Sequence, residues 1–111
     1  MQLEFEHINK TLIVRVGGEL DLAVAESFRN EVEGALEEQG VQNLILNLKD
    51  VSFIDSSGLG VILGRYKRIT QVGGNMAIAE AEPQVRRILE LSGILRIMGA
   101  YETENAALDA V

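Results

Sequence analysis

Hydrophobic and polar residues alternate along the first part of the chain. Positions 3, 5 and 7 (Leu, Phe, His) are separated by Glu4 and Glu6, and positions 12, 14 and 16 repeat the same spacing with Leu, Val and Val. A period of two is typical of β-strands, whose successive side chains point to opposite faces. Because Asn9-Lys10 lies between the two stretches and suits a turn, the pattern predicts a strand pair.

The period changes after Asp21. Apolar residues then recur at helical spacing: Ala25, Phe28, Val32, Ala35 and Leu36. Glutamates occupy many of the positions between them. This pattern predicts an amphipathic helix that ends at Gly40. Residues 41–48 follow and are nearly continuously apolar, which predicts a central strand covered on both faces.

Helices and strands continue to alternate in the second half. A helix that begins near residue 57 is predicted to bury one apolar stripe: Leu59, Ile62, Leu63, Tyr66 and Ile69. Beyond its end at Gly73-Gly74, residues 75–79 predict a strand, and Pro83 and Gly93 suit the two ends of a third helix. Residues 94–98 predict a last strand, and Thr103 is the expected N-cap of a short final helix. The alternation predicts an α/β fold.

Composition narrows the class of protein. The 111 residues suit one domain over residues 1–111, and 47% hydrophobic with 24% charged residues is an ordinary globular balance. The net charge of -7 makes nucleic acid a poor partner, and the lack of cysteine excludes disulfides and thiolate metal sites. With neither a signal-peptide pattern nor a run of roughly 20 apolar residues, we expect a cytoplasmic protein without a membrane span.

The most informative stretch is residues 51–65, where an apolar strand-like run ends in hydroxyls and glycines. Asp55 precedes the pair Ser56 and Ser57, and a helix opens at this point. A helix start has backbone N–H groups without intrahelical partners and carries partial positive charge. A serine there is a good N-cap, and a phosphate there finds hydrogen-bond donors.

Two enzymatic interpretations of this junction fit the residues poorly. A serine nucleophile needs a base, but the sole histidine, His7, lies in the first predicted strand. A dinucleotide-binding loop would need its third glycine at position 63, which is leucine. The spacing of Gly60 and Gly64 instead favours close packing of one helix face on the sheet.

Carboxylates are the next candidates. Glu19, Asp21 and Asp55 each follow a predicted strand, so they are expected to converge at one edge of the sheet. Such a cluster could hold magnesium or a phospho-aspartate, as in receiver domains, but no lysine follows residues 75–79 to neutralise an aspartyl phosphate. Capping and turn roles are commoner for such residues, and ordinary N-capping is the simplest interpretation of Ser56.

The motif Asp-Ser-Ser-Gly-Leu-Gly at residues 55–60 resembles the anti-sigma-factor antagonists of the STAS domain family. Gly-Glu-Leu-Asp at 18–21, Asn-Leu at 47–48 and Leu-Ser-Gly at 91–93 extend the similarity over essentially the whole chain. The resemblance implies a single STAS domain, with a mixed sheet of about four to five strands packed with about four helices. It also implies a binding module without catalytic activity, cofactor or metal.

The resemblance further implies a switch at Ser56. In that family the first serine of the pair is phosphorylated by the partner anti-sigma factor, a protein kinase, and a serine phosphatase restores the unmodified form. The unmodified form binds the anti-sigma factor, so that the sigma factor is released. Ser57, one step further into the helix, is then expected to be structural, with its hydroxyl held by capping. The partner-binding surface is expected to comprise Glu19, Asp21, Asp55, Ser56, Ser57, Gly58, Leu59, Gly60 and Arg65.

One departure bears on the branch of the family. Sporulation antagonists carry a histidine pair after Gly-Glu-Leu-Asp, whereas this chain has Leu22-Ala23. A general-stress antagonist therefore stays open beside the sporulation branch, and a receiver-like domain stays open as the alternative from another class.

Overall fold

Five strands form one mixed sheet in the computed structural model, which describes residues 1–38 and 40–111. The strands are β1 (Gln2–Ile8), β2 (Thr11–Leu20), β3 (Asn43–Ile54), β4 (Met76–Ala79) and β5 (Gly99–Tyr101). They lie in the order β1-β2-β3-β4-β5, with β1 antiparallel to β2 and the remaining neighbours parallel. The predicted strand pair is confirmed, and Asn9 adopts the positive φ of 53° that a tight hairpin turn favours.

Within the same described residues the chain forms four α-helices and one short 3₁₀ turn. They are α1 (Leu22–Leu36), α2 (Ser56–Gln71), α3 (Pro83–Ser92) and α4 (Glu104–Ala110), with the 3₁₀ turn at Ile94–Arg96. The predicted α/β fold with about four to five strands and about four helices is confirmed. So are Pro83 in the first turn of α3, Gly93 as its left-handed C-cap and Thr103 as the N-cap of α4.

The sheet is covered on both faces. Leu12 and Val14 of β2 pack in the larger core with side chains of α1, α2 and α3, whereas Ile13 faces the smaller core with Ala107 of α4. Two buried faces explain why residues 44–48 of β3 are all buried, as the continuous apolar run predicted. The strand itself starts at Asn43 and extends to Ile54, because it keeps pairing with β2 past its apolar part.

Two boundaries differ from the sequence pattern. Helix α1 ends at Leu36, with Glu37 as C-cap, rather than at Gly40; Gln39 lies outside the described residues. Residues 94–98 are not a strand: Gly93 turns the chain with a φ of 87°, and the 3₁₀ turn buries Ile94 and Met98 on one side. Four-residue spacing of the buried residues suits a helical turn, so the strand forms only afterwards, at β5.

Candidate functional site

The candidate site lies where β2 and β3 end side by side. Leu20 pairs with Ile54, so the next residues, Asp21 and Asp55, follow neighbouring parallel strands at the same edge of the sheet. Glu19 pairs with Phe53 one step earlier. The structure therefore brings the three predicted carboxylate residues to one edge, and Asp21 and Asp55 are the N-caps of α1 and α2.

The carboxylate of Asp55 joins the first turns of two helices. The Gly58 amide donates to Oδ1 at 3.0 Å, within α2, and the Leu22 amide, at the start of α1, donates to Oδ2 at 3.2 Å. The backbone amide of Asp55 in turn donates to the carbonyl of Leu20 at 3.3 Å. Asp55, not a serine, is thus the N-cap of α2, and the N-capping interpretation of Ser56 is wrong.

Gly58 is the point of closest approach between α2 and β2. A Cβ built at Gly58 would lie 2.1 Å from the carbonyl oxygen of Leu20, far inside van der Waals contact. At Gly60 and Gly64 the same construction meets no atom within 4 Å, so their predicted role in close packing is wrong. The close approach belongs to Gly58, because the chain must leave the sheet and start the helix within a few residues.

The two serines occupy the first two positions of α2. Ser56 is exposed and Ser57 is half-buried, and within residues 1–38 and 40–111 neither hydroxyl makes a hydrogen bond to another residue. Their placement follows from Asp55, which takes the capping position and leaves the Ser56 hydroxyl available. The Ser57 hydroxyl is not held by capping, contrary to the expectation from its place in the helix.

Exposed apolar side chains lie on the three elements that adjoin Ser56, a feature that the sequence patterns missed. Leu22 is 76% exposed at the first position of α1, and Phe53 is 46% exposed near the end of β3. Leu63, which the helical stripe predicted to be buried, is 42% exposed and lies two turns along α2 from Ser56. Leu59 is half-buried and packs on the core. The signal for Leu22 was an apolar residue directly after a helix cap, outside the buried stripe.

Arg65 does not belong to this surface. It is only 8% exposed, and its guanidinium lies between α1 and α2, where Nη1 is 2.9 Å from Oε1 of Glu33 and donates to the carbonyl of Arg29 at 3.2 Å. Arg68 pairs with the other oxygen of Glu33. Burial, together with the nearby Arg29 charge, lowers the pKa of Arg65. Arg65 thus ties the two helices together about two and a half turns along α2 from Ser56.

Other candidate features lie elsewhere. A cleft of about 540 Å³ opens beside the start of α3, lined by both cationic and anionic side chains such as Lys49, Arg87 and Glu102 and by none of the predicted site residues. In the described part of the chain no group of three or more His, Cys, Asp or Glu side chains is placed to hold a metal ion. Nor does any described helix combine the length and apolar character needed to cross a bilayer.

Comparison with known proteins agrees with this fold. The STAS domain family model matches residues 2–107. An anti-sigma F factor antagonist from Paenibacillus polymyxa is 45% identical over 97% of this chain and 92% of its own. The chain therefore spans nearly the whole length of that relative.

Two solved structures of one relative, in its unphosphorylated and phosphorylated forms, are similar to this chain. The anti-sigma factor antagonist SpoIIAA in its unphosphorylated form is 32% identical, with a TM-score of 0.83 over 98% of this chain and 95% of that chain. The Bacillus cell fate determinant SpoIIAA in its phosphorylated form is 31% identical, with a TM-score of 0.75 over 98% of both chains. The present chain thus belongs to the STAS domain family, within the group of anti-sigma factor antagonists, whose members are regulators rather than enzymes.

Proposed function

We propose that this chain, as a single domain over residues 1–111, binds an anti-sigma factor through the surface around Ser56 and is switched off by phosphorylation of that serine. The anti-sigma factor is the kinase, a serine phosphatase reverses the modification, and binding of the unmodified form releases the sigma factor. The 45% identity to a relative named for sigma F favours the sporulation branch over general stress. Such an interaction takes place in the cytoplasm, where sigma factors act.

The exposed Ser56 hydroxyl is the observation that carries the proposal. Ser56 lies at the first position of α2, outside the hydrogen-bond network that Asp55 makes, and the adjoining start of α1 and end of β3 carry exposed apolar side chains. A hydroxyl in this position can enter a kinase active site without any unfolding. The exposed apolar residues Leu22 and Phe53 provide contact area that loses its water when a partner binds, as the anchors of protein interfaces do.

Charge explains how phosphorylation would end binding. A phosphoserine adds roughly -1.5 to -2 charges at pH 7. Placed next to Asp55 and near Asp21, in a chain of net charge -7, it makes an acidic surface more acidic and fills space needed for docking. The start of α2 tolerates the phosphate locally, because a helix N-terminus attracts anions.

The alternatives have less support. A hydrolase would need a base near Ser56, but His7 contacts Glu38 beyond the far end of α1, a helix about 22 Å long. A receiver-like domain would need a free, accessible aspartate as phosphate acceptor, whereas both carboxylate oxygens of Asp55 accept backbone amides and Oδ1 of Asp21 is buried. Phosphorylation of Ser56 by a partner kinase needs neither a base in this chain nor a free aspartate.

Tandem mass spectrometry tests the proposal. The chain is incubated with ATP and the anti-sigma F factor of Paenibacillus polymyxa, and the phosphorylated residue is located. We expect phosphate on Ser56, none in the Ser56→Ala variant, and wild-type phosphorylation in the matched Ser57→Ala variant. A phosphate that is stable in acid identifies a serine ester. Phosphate on Ser57 alone, or an acid-labile phosphate on an aspartate, would overturn the proposal.

A further inference from the structure

Helix α1 lacks an N-terminal side-chain cap of its own. Its N-cap residue, Asp21, makes no side-chain capping hydrogen bond. The amide at its first position, that of Leu22, is satisfied from outside the helix by Oδ2 of Asp55, which lies 33 residues further along the chain. The start of α1 therefore depends on a residue of the neighbouring β3–α2 junction.

Asp55 can serve both helices only because it is a carboxylate. Its two oxygens each accept one amide, from Gly58 at 3.0 Å and from Leu22 at 3.2 Å. Serine has one oxygen on a shorter side chain and can cap α2 alone. Asparagine keeps one acceptor but turns an N–H donor toward the second amide. Replacement of Asp55 by serine, another good N-cap residue, thus removes the link between the helices and leaves α2 capped.

The candidate docking surface near Ser56 is formed by the first turns of both α1 and α2. Leu22 stands on α1 and Ser56 on α2, and Asp55 is the residue that hydrogen-bonds to both first turns. We infer that Asp55 is a positioning residue, which holds the first turns of α1 and α2 together and so presents Leu22 and the Ser56 hydroxyl as one docking surface. The inference rests on the proposed function only for the role of Ser56.

The role assigned here differs from the partner contact expected of Asp55 from the sequence. Each of its carboxylate oxygens already accepts one of the protein's own amides, so Asp55 links the two helix starts whether or not a partner is bound. Each oxygen keeps a further lone pair, so a partner donor at the Asp55 carboxylate would add to this role and not replace it.

The Asp55→Ser variant tests the inference, with Thr103→Ala as a matched control. Thr103 caps α4 through the Ala106 amide at 3.1 Å, so its loss removes an N-cap at another helix. In Asp55→Ser we expect water exchange of the Leu22 amide, measured by NMR, to rise roughly tenfold while that of Gly58 stays within about twofold. The kcat/KM for phosphorylation by the anti-sigma F factor of Paenibacillus polymyxa should fall roughly tenfold. Thr103→Ala should leave all three rates unchanged.

Each contrary result has its own meaning. Unchanged exchange at Leu22 in Asp55→Ser would show that the link does not exist. If Leu22 exchanges faster in Asp55→Ser but phosphorylation and affinity stay at wild-type values, the link does not position Ser56. If Thr103→Ala lowers the kcat/KM for phosphorylation as much as Asp55→Ser does, the effect comes from general stability. If the wild-type chain itself is not phosphorylated, the proposed function fails instead. The affinity of Asp55→Ser for the anti-sigma factor, expected to fall roughly tenfold, then decides the positioning role.

Discussion

Gly58 is the residue of the site that tolerates a side chain least. The carbonyl oxygen of Leu20 occupies the space that a Cβ would need, and the methyl Cγ2 of Ile54 lies 3.0 Å from the same point. Backbone cannot move aside as a flexible side chain can. The glycine of the Asp-Ser-Ser-Gly motif is therefore required by packing, before any contact with a partner is considered.

We predict that Gly58→Ala lowers the free energy of unfolding by about 3 kcal/mol, because overpacking in a tight contact forces the backbone to shift. Gly60→Ala is the matched control in the same helix. Its Cβ meets open space, and alanine favours a helix over glycine by about 1 kcal/mol, so this variant should be more stable than wild type. Urea denaturation measures both. Equal effects of the two substitutions would contradict the packing account.

At the residue scale, the motif placed the start of α2 correctly but not the structural role of every residue in it. Asp55, Ser56 and Gly58 could be placed at a helix start from residue types alone. The burial of Arg65 could not, because its ion partner, Glu33, belongs to another helix and no local pattern links the two. The exposure of Leu22 and Phe53 could not be predicted either. An apolar residue is expected in the core unless the neighbouring elements are known to leave it uncovered.

At the scale of elements, α1 and α2 are joined by a cluster of charges as well as by the core. Glu33 of α1 contacts Arg65 and Arg68 of α2, and the Arg65 side chain is 9% exposed against 26% for Glu33. A charge that is buried and loses its partner costs far more than an exposed ion pair contributes. This cluster therefore fixes the relative position of the two helices that form the site.

Glu33→Ala should lower the free energy of unfolding by about 3 kcal/mol, because it leaves the Arg65 guanidinium buried without its carboxylate. Glu90→Ala removes an exposed partner from Arg86, four residues apart on α3, and should change stability by less than about 0.5 kcal/mol. Chemical denaturation of the two variants compares them directly. A loss at Glu33 no larger than that at Glu90 would show that burial does not strengthen the pair.

Helix α4 is held to the opposite face of the sheet by a second charge cluster. Glu104, at its first position, accepts hydrogen bonds from Arg15 at 2.8 Å and from Asn47 at 2.6 Å. The hydrogen bonds from Arg15, with a smaller contribution from Asn47, hold the pKa of Glu104 below the usual value of 4.5. The unfolded chain lacks these partners, so its Glu104 takes up a proton at higher pH than the folded protein does.

The sign of the resulting pH dependence follows from this difference. The contribution of ionised Glu104 is present above the unfolded pKa and is lost as the pH falls through the lower, folded pKa. Glu104→Gln should therefore cost about 1 kcal/mol at pH 7 and progressively less as the pH falls below about 4. Asp109→Asn, an exposed acid of the same helix, is the control. A cost for Glu104→Gln that stays constant from pH 7 to pH 3 would refute the account.

Most elements could be predicted because their periodicity reflects which face is buried. The buried residues of α1 recur at helical spacing, and β3 is buried on both faces, so both gave clear signals. The strand predicted at residues 94–98 was wrong because so short an apolar run does not show whether its period is that of a strand or of a helical turn. The extension of β3 to Ile54 depends on its pairing with β2, which a local pattern does not contain.

At the scale of the whole molecule, helices on both faces leave the sheet little freedom to shift. The larger core includes side chains from α1, α2 and α3, and α4 closes the other face. A close-packed core has low compressibility and does not deform continuously, so a local change does not rearrange the fold unless a second packing exists. We therefore expect phosphorylation to act through the local surface and the total charge, which would change from -7 to about -9.

NMR of both forms tests the local action of the phosphate. Amide chemical shifts should move at Asp21 and over residues 55–59, and stay nearly unchanged over α3, which begins at Pro83. The first group surrounds Ser56, whereas α3 covers a different part of the sheet. Widespread shifts that include α3 and β5 would favour a global rearrangement instead.

Calorimetric titration tests most directly whether the state of Ser56 decides binding of the anti-sigma factor. The anti-sigma F factor of Paenibacillus polymyxa is titrated with the unmodified chain, with the chain phosphorylated at Ser56, and with Ser56→Ala. The unmodified chain and Ser56→Ala should bind with the same affinity, because alanine adds no charge at this position. The phosphorylated chain should bind at least roughly tenfold more weakly, since charge is added beside Asp21 and Asp55. Equal affinities of the phosphorylated and unmodified chains would contradict the account.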